Sequence, residues 1–231
     1  MRPKRDDMLP EATDVAPDQG ERTDRPWPYW MMRYVGSDDM QAMEDLIWSV
    51  GGSPPYGGVS WDEAVAVYEL LEAYHGRGAA SKARYDKVRA IIKSRPDRLA
   101  VLETFHCADQ IQSRSDSYGR EPVERGLALT RQLGHRGAEA SFLSFEAGWL
   151  FRTGDKAAAA AETLQALEIF LELADRDPVY EKRVKQSAQN GVSLAAMSGD
   201  VVRARELLQQ LAPVLDPDVT EQLRRALQAH P

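Results

Sequence analysis

Apolar residues recur at helical spacing along most of the chain, and the second half of the chain contains an internal sequence repeat. The segment Leu127–Leu133 is matched by a similar leucine-rich segment that begins 40 positions later, at Leu167. Gly154 and Gly199 are each followed by aspartate, and each ends one predicted helix and precedes another. A two-helix unit that recurs at roughly 35 to 45 residues is typical of an α-solenoid. The pattern therefore predicts an all-α fold, a superhelix of helical hairpins with about nine or ten helices.

The N-terminal part of the chain lacks this periodicity. Residues 1–26 are rich in proline and charged residues and have no apolar repeat, so they are predicted to be disordered. The predicted organisation is a disordered tail over residues 1–36 that ends in an aromatic arm, followed by one helical-repeat domain over residues 37–231.

The aromatic arm consists of Trp27, Tyr29, Trp30 and Tyr34, which stand within eight residues. Three interpretations are open. The arm docks on the chain's own first helices, as the end of a solenoid requires. Alternatively it binds a partner protein, because Trp and Tyr are favoured at interfaces. In the third interpretation it inserts into a neighbouring copy of the chain and makes a homo-oligomer.

Helical spacing also predicts which residues are buried. A first helix is expected over residues 37–50, before a loop rich in glycine and proline at residues 51–58. Ser60 and Glu63 have the spacing of a capping box at the start of the next helix. The buried stripe of that helix is predicted to contain Trp61, Ala64, Val65, Tyr68 and Leu71. The helix over residues 138–153 is apolar on two sides, which predicts that it is packed between neighbours.

Composition and charge argue against two classes of protein, nucleic-acid-binding proteins and membrane-spanning proteins. The net charge is −7 with a pI near 5.2, which argues against a general nucleic-acid-binding protein. The single cysteine, Cys107, fits a reducing compartment, and no apolar run is long enough for a membrane span. A cytoplasmic protein without a membrane partner is expected.

The Gly-to-Ala spacing in the hairpins resembles that of tetratricopeptide (TPR) repeats. Ala159 follows Gly154 by five residues, Ala204 follows Gly199, and Ala83 follows Gly78. The period is longer and less even than in the family. The resemblance implies a non-catalytic adaptor or regulatory module of the bacterial type that binds a protein or peptide in a concave groove.

By register, the resemblance implies groove positions on two helices: Ser141, Ser144, Phe145, Gly148, Arg152, Gln186, Gln189, Asn190 and Ser193. The amides can pair with the backbone of an extended ligand, and the Arg152 guanidinium can bind a carboxylate. The other interpretation is that these side chains form only a solvated face.

Two Glu-x-x-His motifs give an alternative of a different class, a helical-bundle metalloprotein. Glu72 and His75 form one motif, and Glu103 and His106 form the other, a pattern that di-iron bundles use together with two further glutamates. Cys107 adjoins His106, but neighbours on a helix point about 100° apart, which disfavours a nucleophile–base pair. The common catalytic motifs are absent from the sequence. No enzymatic activity and no cofactor are therefore predicted.

Overall fold

The computed structural model describes residues 27–38, 59–77, 80–114 and 117–228. All regular secondary structure within these ranges is helical, which confirms the predicted all-α class for the described residues. The α-helices in chain order are α1 (Trp27–Ser37), α2 (Trp61–Arg77), α3 (Lys82–Ile92), α4 (Pro96–Gln112), α5 (Arg120–Leu133), α6 (Arg136–Thr153), α7 (Lys156–Ala174), α8 (Glu181–Met197), α9 (Val201–Leu211) and α10 (Pro217–Gln228). One turn of 3-10 helix, Pro178–Tyr180, precedes α8.

The chain forms two compact units that divide between Glu139 and Ala140, near the start of α6. The predicted division lay instead at residues 36 and 37. Residues 1–26, and the loop predicted at 51–58, lie outside the described residues. So does the helix predicted over residues 37–50, apart from Ser37, the last residue of α1, and Asp38, which follows it.

In the first unit, α4 is the central helix and packs against α1, α3 and α5. Proline at the first position of α4 fits a helix start, because the missing N–H has no partner there in any case. Phe105, 1% exposed, lies in the middle of α4 among the rings of Tyr34, Tyr74 and Tyr85. The core of this unit is therefore an aromatic cluster gathered around one helix.

The segment predicted to end the disordered tail is instead a buried helix, α1. Trp27, Trp30, Met31 and Met32 are each at most 2% exposed. Burial of several large apolar side chains stabilises a segment by several kcal/mol, on the order of 2 kcal/mol for each, which offsets the cost of ordering it. The aromatic residues thus dock on the chain's own helices.

A buried ion pair joins three helices of the first unit. Arg98 of α4 donates through one guanidinium nitrogen to both carboxylate oxygens of Glu63 on α2, at 2.7 Å each. The indole N–H of Trp27 on α1 donates to the same carboxylate at 2.8 Å. Of the predicted capping box, the hydrogen bond from the backbone N–H of Glu63 to the Ser60 hydroxyl is formed, at 3.3 Å. The Glu63 side chain is used in the ion pair instead. The Glu63 carboxylate points into the core and ties α1, α2 and α4 together.

The buried stripe predicted for α2 was partly wrong. Ala64 and Leu71 are buried as predicted, but Trp61 is 63% exposed and Tyr68 is 37% exposed. The physical reason is the ion pair: Glu63 lies at the centre of the inward face, so the residues on the opposite side of the helix face solvent. The inward face is completed by Ala66, Val67, Leu70 and Tyr74.

In the second unit, α8 packs against α7, α9 and α10. A Cβ atom added at Gly191 of α8 would lie 3.1 Å from the Leu164 side chain of α7, so the small residue permits the close approach. At the start of α8, the buried ring of Tyr180 stacks on Phe170 with centroids 6.2 Å apart.

Helix α6 is mostly buried only in its first half. Phe142 and Leu143, from its two apolar sides, are both buried. In the second half Trp149 and Leu150 are half-buried, and Phe151 is 39% exposed. The prediction of a helix enclosed by neighbours therefore holds only for the N-terminal turns.

Three tight turns share one construction. Gly134, Gly154 and Gly199 have φ of 68°, 96° and 91°, values that favour glycine because it has no Cβ. The residue after each glycine then caps the following helix: a side-chain atom of His135, Asp155 or Asp200 accepts the backbone N–H three residues further on. The two Gly-Asp turns are confirmed, and the Gly134 turn is a third instance of the same device.

The buried ion pair makes the stability of the first unit sensitive to one side chain. Arg98→Leu leaves the Glu63 carboxylate buried without its cation, so we expect a loss of about 3–5 kcal/mol in the free energy of unfolding. Urea titration followed by circular dichroism measures this loss. Arg120→Leu breaks an exposed pair with Glu124 and should cost at most about 1 kcal/mol. Equal effects of the two variants would contradict the assigned role.

A second stability prediction concerns the backbone of α1 near the start of α6. A Cβ at Gly36 would lie 2.9 Å from the carbonyl carbon of Gly137, so Gly36→Ala should destabilise the protein by about 1–3 kcal/mol. The matched control is Gly76→Ala in α2, where nothing lies within 4 Å of the added atom. That change should be neutral or stabilising by up to about 1 kcal/mol. Thermal unfolding of both variants separates the two effects.

Candidate functional site

The groove positions predicted on α6 become more exposed along the helix. Ser141 is fully buried, Phe145 and Gly148 are half-buried, and Arg152 is exposed. The hydroxyl of Ser144 donates to the backbone carbonyl of Ala140 at 3.0 Å, within its own helix. The part of this face that another chain can reach thus begins near Phe145 and continues to the Arg152 guanidinium.

The groove positions predicted on α8 lie on one accessible strip. Gln186, Gln189 and Asn190 are exposed, and Ser193 is half-buried. The opposite side of the helix is buried and consists of small or branched residues: Val184, Ala188, Gly191, Val192 and Ala195. The polar strip is therefore the outward side of a helix whose other side is packed against α7, α9 and α10.

The side-chain amides of Gln189 and Asn190 on α8 are available for hydrogen bonding, whereas that of Gln186 is partly used. The Gln186 carbonyl oxygen accepts a hydrogen bond from a guanidinium nitrogen of Arg183 at 3.4 Å. Within the described part of the chain, no hydrogen-bond partner contacts the amides of Gln189 or Asn190. A primary amide supplies both a donor and an acceptor, which are the two groups that an extended backbone presents.

The aromatic arm residues are placed in the core of the first unit. Trp27, Trp30 and Tyr34 are buried, and Tyr29 is half-buried against Trp30, with ring centroids 5.1 Å apart. The Tyr34 hydroxyl lies 3.1 Å from the Tyr74 hydroxyl. Another chain can reach Trp27, Trp30 and Tyr34 only if α1 leaves the core, so partner binding through the arm stays a prediction.

The two Glu-x-x-His motifs have different surroundings. Glu72 and His75 are exposed near the end of α2. The Glu103 carboxylate on α4 instead accepts hydrogen bonds from Arg89 and Arg125. Across the described residues, no three His, Cys, Asp or Glu side chains form a group that could hold a metal ion.

His106 is half-buried, and each of its ring nitrogens lies within hydrogen-bonding distance of another side chain. A guanidinium nitrogen of Arg89 lies 2.8 Å from Nδ1, and the amide of Gln110 lies 3.3 Å from Nε2. The ring also packs on Tyr85 with centroids 4.0 Å apart. Burial, together with the charge of Arg89, lowers the pKa of His106 below its ordinary value of 6.5. A neutral imidazole that accepts from Arg89 links α3 to α4 in this arrangement.

Cys107 is 1% exposed, and burial raises the pKa of its thiol to about 12. The thiolate is the nucleophilic form, so burial keeps this cysteine in its unreactive state at neutral pH.

Sequence reasoning missed a buried carboxyl group, Asp109 on α4. It accepts the Tyr85 hydroxyl at 2.7 Å and the backbone N–H of Ala80 at 3.1 Å, both on Oδ2, while Oδ1 is buried without a partner among the described residues. Burial raises the pKa of Asp109. An acidic residue four positions after Phe105, in the apolar run of α4, was the sequence signal. The contacts fix the entry to α3 rather than form an accessible site.

No known protein family, curated protein or solved structure matches the chain. Among the described helices, none is both long enough and apolar enough to cross a lipid bilayer. A functional proposal therefore depends on the accessible surfaces of α6 and α8 described above.

The buried carboxyl gives a pH dependence of known sign. Because burial raises the pKa of Asp109 above its ordinary value of 3.8, the folded state holds this proton more tightly than the unfolded chain. The contribution of the neutral carboxyl is full below pH 3.8 and is lost as the pH rises through the folded pKa. Asp109→Asn keeps an acceptor for Tyr85 and removes the charge, so it should flatten this decline.

Urea unfolding at a series of pH values above and below 3.8 measures the effect. The control is Asp86→Asn, since Lys82 and Arg89 lower the pKa of this exposed carboxyl. Its contribution has the opposite sign, present above the unfolded pKa and lost as the pH falls. A pH profile unchanged by Asp109→Asn would contradict the assignment.

Proposed function

We propose that the protein is a non-catalytic adaptor that binds a peptide or protein segment along the polar strip of α8 and the exposed end of α6. The observation that carries the proposal is the row of accessible amides, Gln186, Gln189 and Asn190, on a helix whose opposite side is packed. A regular row of amides suits an extended ligand, whose backbone N–H and C=O groups repeat along its length.

We further propose that α6–α7 and α8–α9 are two TPR-like hairpins. The same glycine turn and aspartate cap join the helices of each pair. Ala159 and Ala204, five residues after the two glycines, are both fully buried, as a position at a close helix crossing requires. Ala83, the third alanine of the pattern, is exposed, so the support is confined to the second unit.

Helix α10 fits the role of a terminal cap on these hairpins. It packs on α9 and α8 through residues such as Leu227, while Glu221 pairs with Arg224 and Arg225 on the outer side. A polar outer face is what the last element of a helical repeat needs. The amide strip of α8 remains uncovered beside it.

The chemistry of the strip indicates the kind of ligand. Arg152 on α6 presents a guanidinium that binds carboxylates in a bidentate geometry, and the α8 amides are neutral. Phe145, half-buried on α6 two turns before Arg152, adds an apolar contact. We therefore propose an extended peptide with at least one acidic side chain or a free carboxyl terminus.

Binding through this strip predicts the effect of a double variant. Arg152→Ala combined with Asn190→Ala removes one charge-assisted and one neutral hydrogen bond, so affinity should fall by about tenfold or more. The probes are peptides selected against the full-length protein from a displayed library of random sequences, labelled and titrated by fluorescence anisotropy. Thermal stability should be unchanged, since both side chains are exposed.

The control is Arg176→Ala with Gln210→Ala, which removes the same types of exposed group from other parts of the second unit. It should bind the selected peptides as the unaltered protein does. Full affinity in the Arg152 and Asn190 double variant would refute this site. Failure to select any peptide would refute peptide binding as the function.

A further inference from the structure

Helix α2 presents an apolar face to solvent in the first unit. Trp61 is 63% exposed, Val65 is half-buried and Tyr68 is 37% exposed. The spacing from Trp61 to Val65 is four residues and from Val65 to Tyr68 is three. The same spacing continues to Glu72 and His75, which are both exposed. The spacing i, i+4, i+7, i+11, i+14 is that of the a and d positions in a coiled-coil seam. One side of α2 therefore has a seam about 21 Å long that fits a single partner helix.

The seam is acidic at its edges. From Trp61 to Gly76 the helix contains no lysine or arginine, whereas Asp62, Glu69 and Glu72 are on or beside the exposed face. Lys87 of α3 pairs with Glu69 at 2.7 Å. Within the described residues, Asp62 and Glu72 are in no ion pair. Two uncompensated carboxylates thus flank the exposed aromatic rings.

The charge and the rings select for a cationic partner. Indole and phenol faces attract lysine and arginine, and the carboxylates add direct electrostatic attraction. A second copy of the chain is a poor occupant, because a two-fold contact through this seam would bring its carboxylates together in a protein of net charge −7.

We propose that this face of α2 binds one amphipathic helix of a partner protein, with apolar residues at heptad spacing and lysine or arginine along its edges. Trp61 and Tyr68 are the apolar anchors. Asp62 and Glu72 determine the sign of charge that is accepted. This site lies in the first unit and is independent of the α8 strip proposed above.

The probe is a labelled synthetic helical peptide with leucine at the a and d positions and lysine at the flanking positions. A second peptide has glutamate in place of each lysine. Fluorescence anisotropy with the full-length chain should show binding of the lysine peptide in preference to the glutamate peptide. Trp61→Ala with Tyr68→Ala should weaken it on the order of thirtyfold, the loss typical of truncated aromatic anchors.

Two further variants test the chemistry of the face. Asp62→Lys with Glu72→Lys should reverse the preference, so that the glutamate peptide binds more tightly than the lysine peptide. Met197→Ala with Val202→Ala removes exposed apolar side chains from the second unit and should leave both affinities unchanged. The Arg152 and Asn190 double variant should also bind the lysine peptide normally, which separates this site from the α8 strip.

Other occupants of the face give different results. Slow hydroxyl-radical oxidation of Trp61 in the free monomeric chain would show that the chain's own residues cover it, and would overturn the proposal. A dimer that dissociates when Trp61 and Tyr68 are replaced would overturn it in favour of self-association. Equal binding of the two peptides, or full affinity without the aromatic residues, would also overturn it.

Discussion

The buried contact between Arg98 and Glu63 is the constraint on which the first unit depends. Both side chains are less than a tenth exposed, and the indole of Trp27 supplies a further donor to the same carboxylate. Removing two charges from water is costly, and only close pairing with additional hydrogen bonds offsets the cost. The three residues belong to α1, α2 and α4, so the pairing is satisfied only when these helices are assembled. It also determines which side of α2 faces inward, and therefore which aromatic side chains remain in solvent.

The second unit rests on a different device, repeated locally. A glycine with positive φ reverses the chain, and the next residue caps the following helix. This arrangement makes tight hairpins without long-range contacts. Small residues such as Ala188 and Gly191 then let α8 approach its neighbours closely, which leaves the amides on its other side accessible. The same packing that stabilises the unit thus produces its polar strip.

Several residues that suggest chemistry in the sequence hold helices together in the structure. Glu103 joins two arginines from α3 and α5, and His106 accepts from Arg89. Asp109 fixes Tyr85 and the backbone at Ala80. A Glu-x-x-His motif places two side chains on one face of a helix, but the helices that pack on that face decide whether they meet a metal, solvent or a cation. In α4 the partners are cations and aromatic rings.

The sequence by itself determined the local structure, which depends on residues close together in the chain. The all-α class and the two Gly-Asp turns followed from helical periodicity and glycine conformation. Tertiary structure decided which face of each helix is buried. Arg98 lies 35 positions from Glu63, and their pairing holds the carboxylate in the core, on the side of α2 opposite the exposed Trp61 and Tyr68. For the same reason Ser141 is buried and α1 is an ordered helix: both depend on side chains distant in the chain, which periodicity does not record.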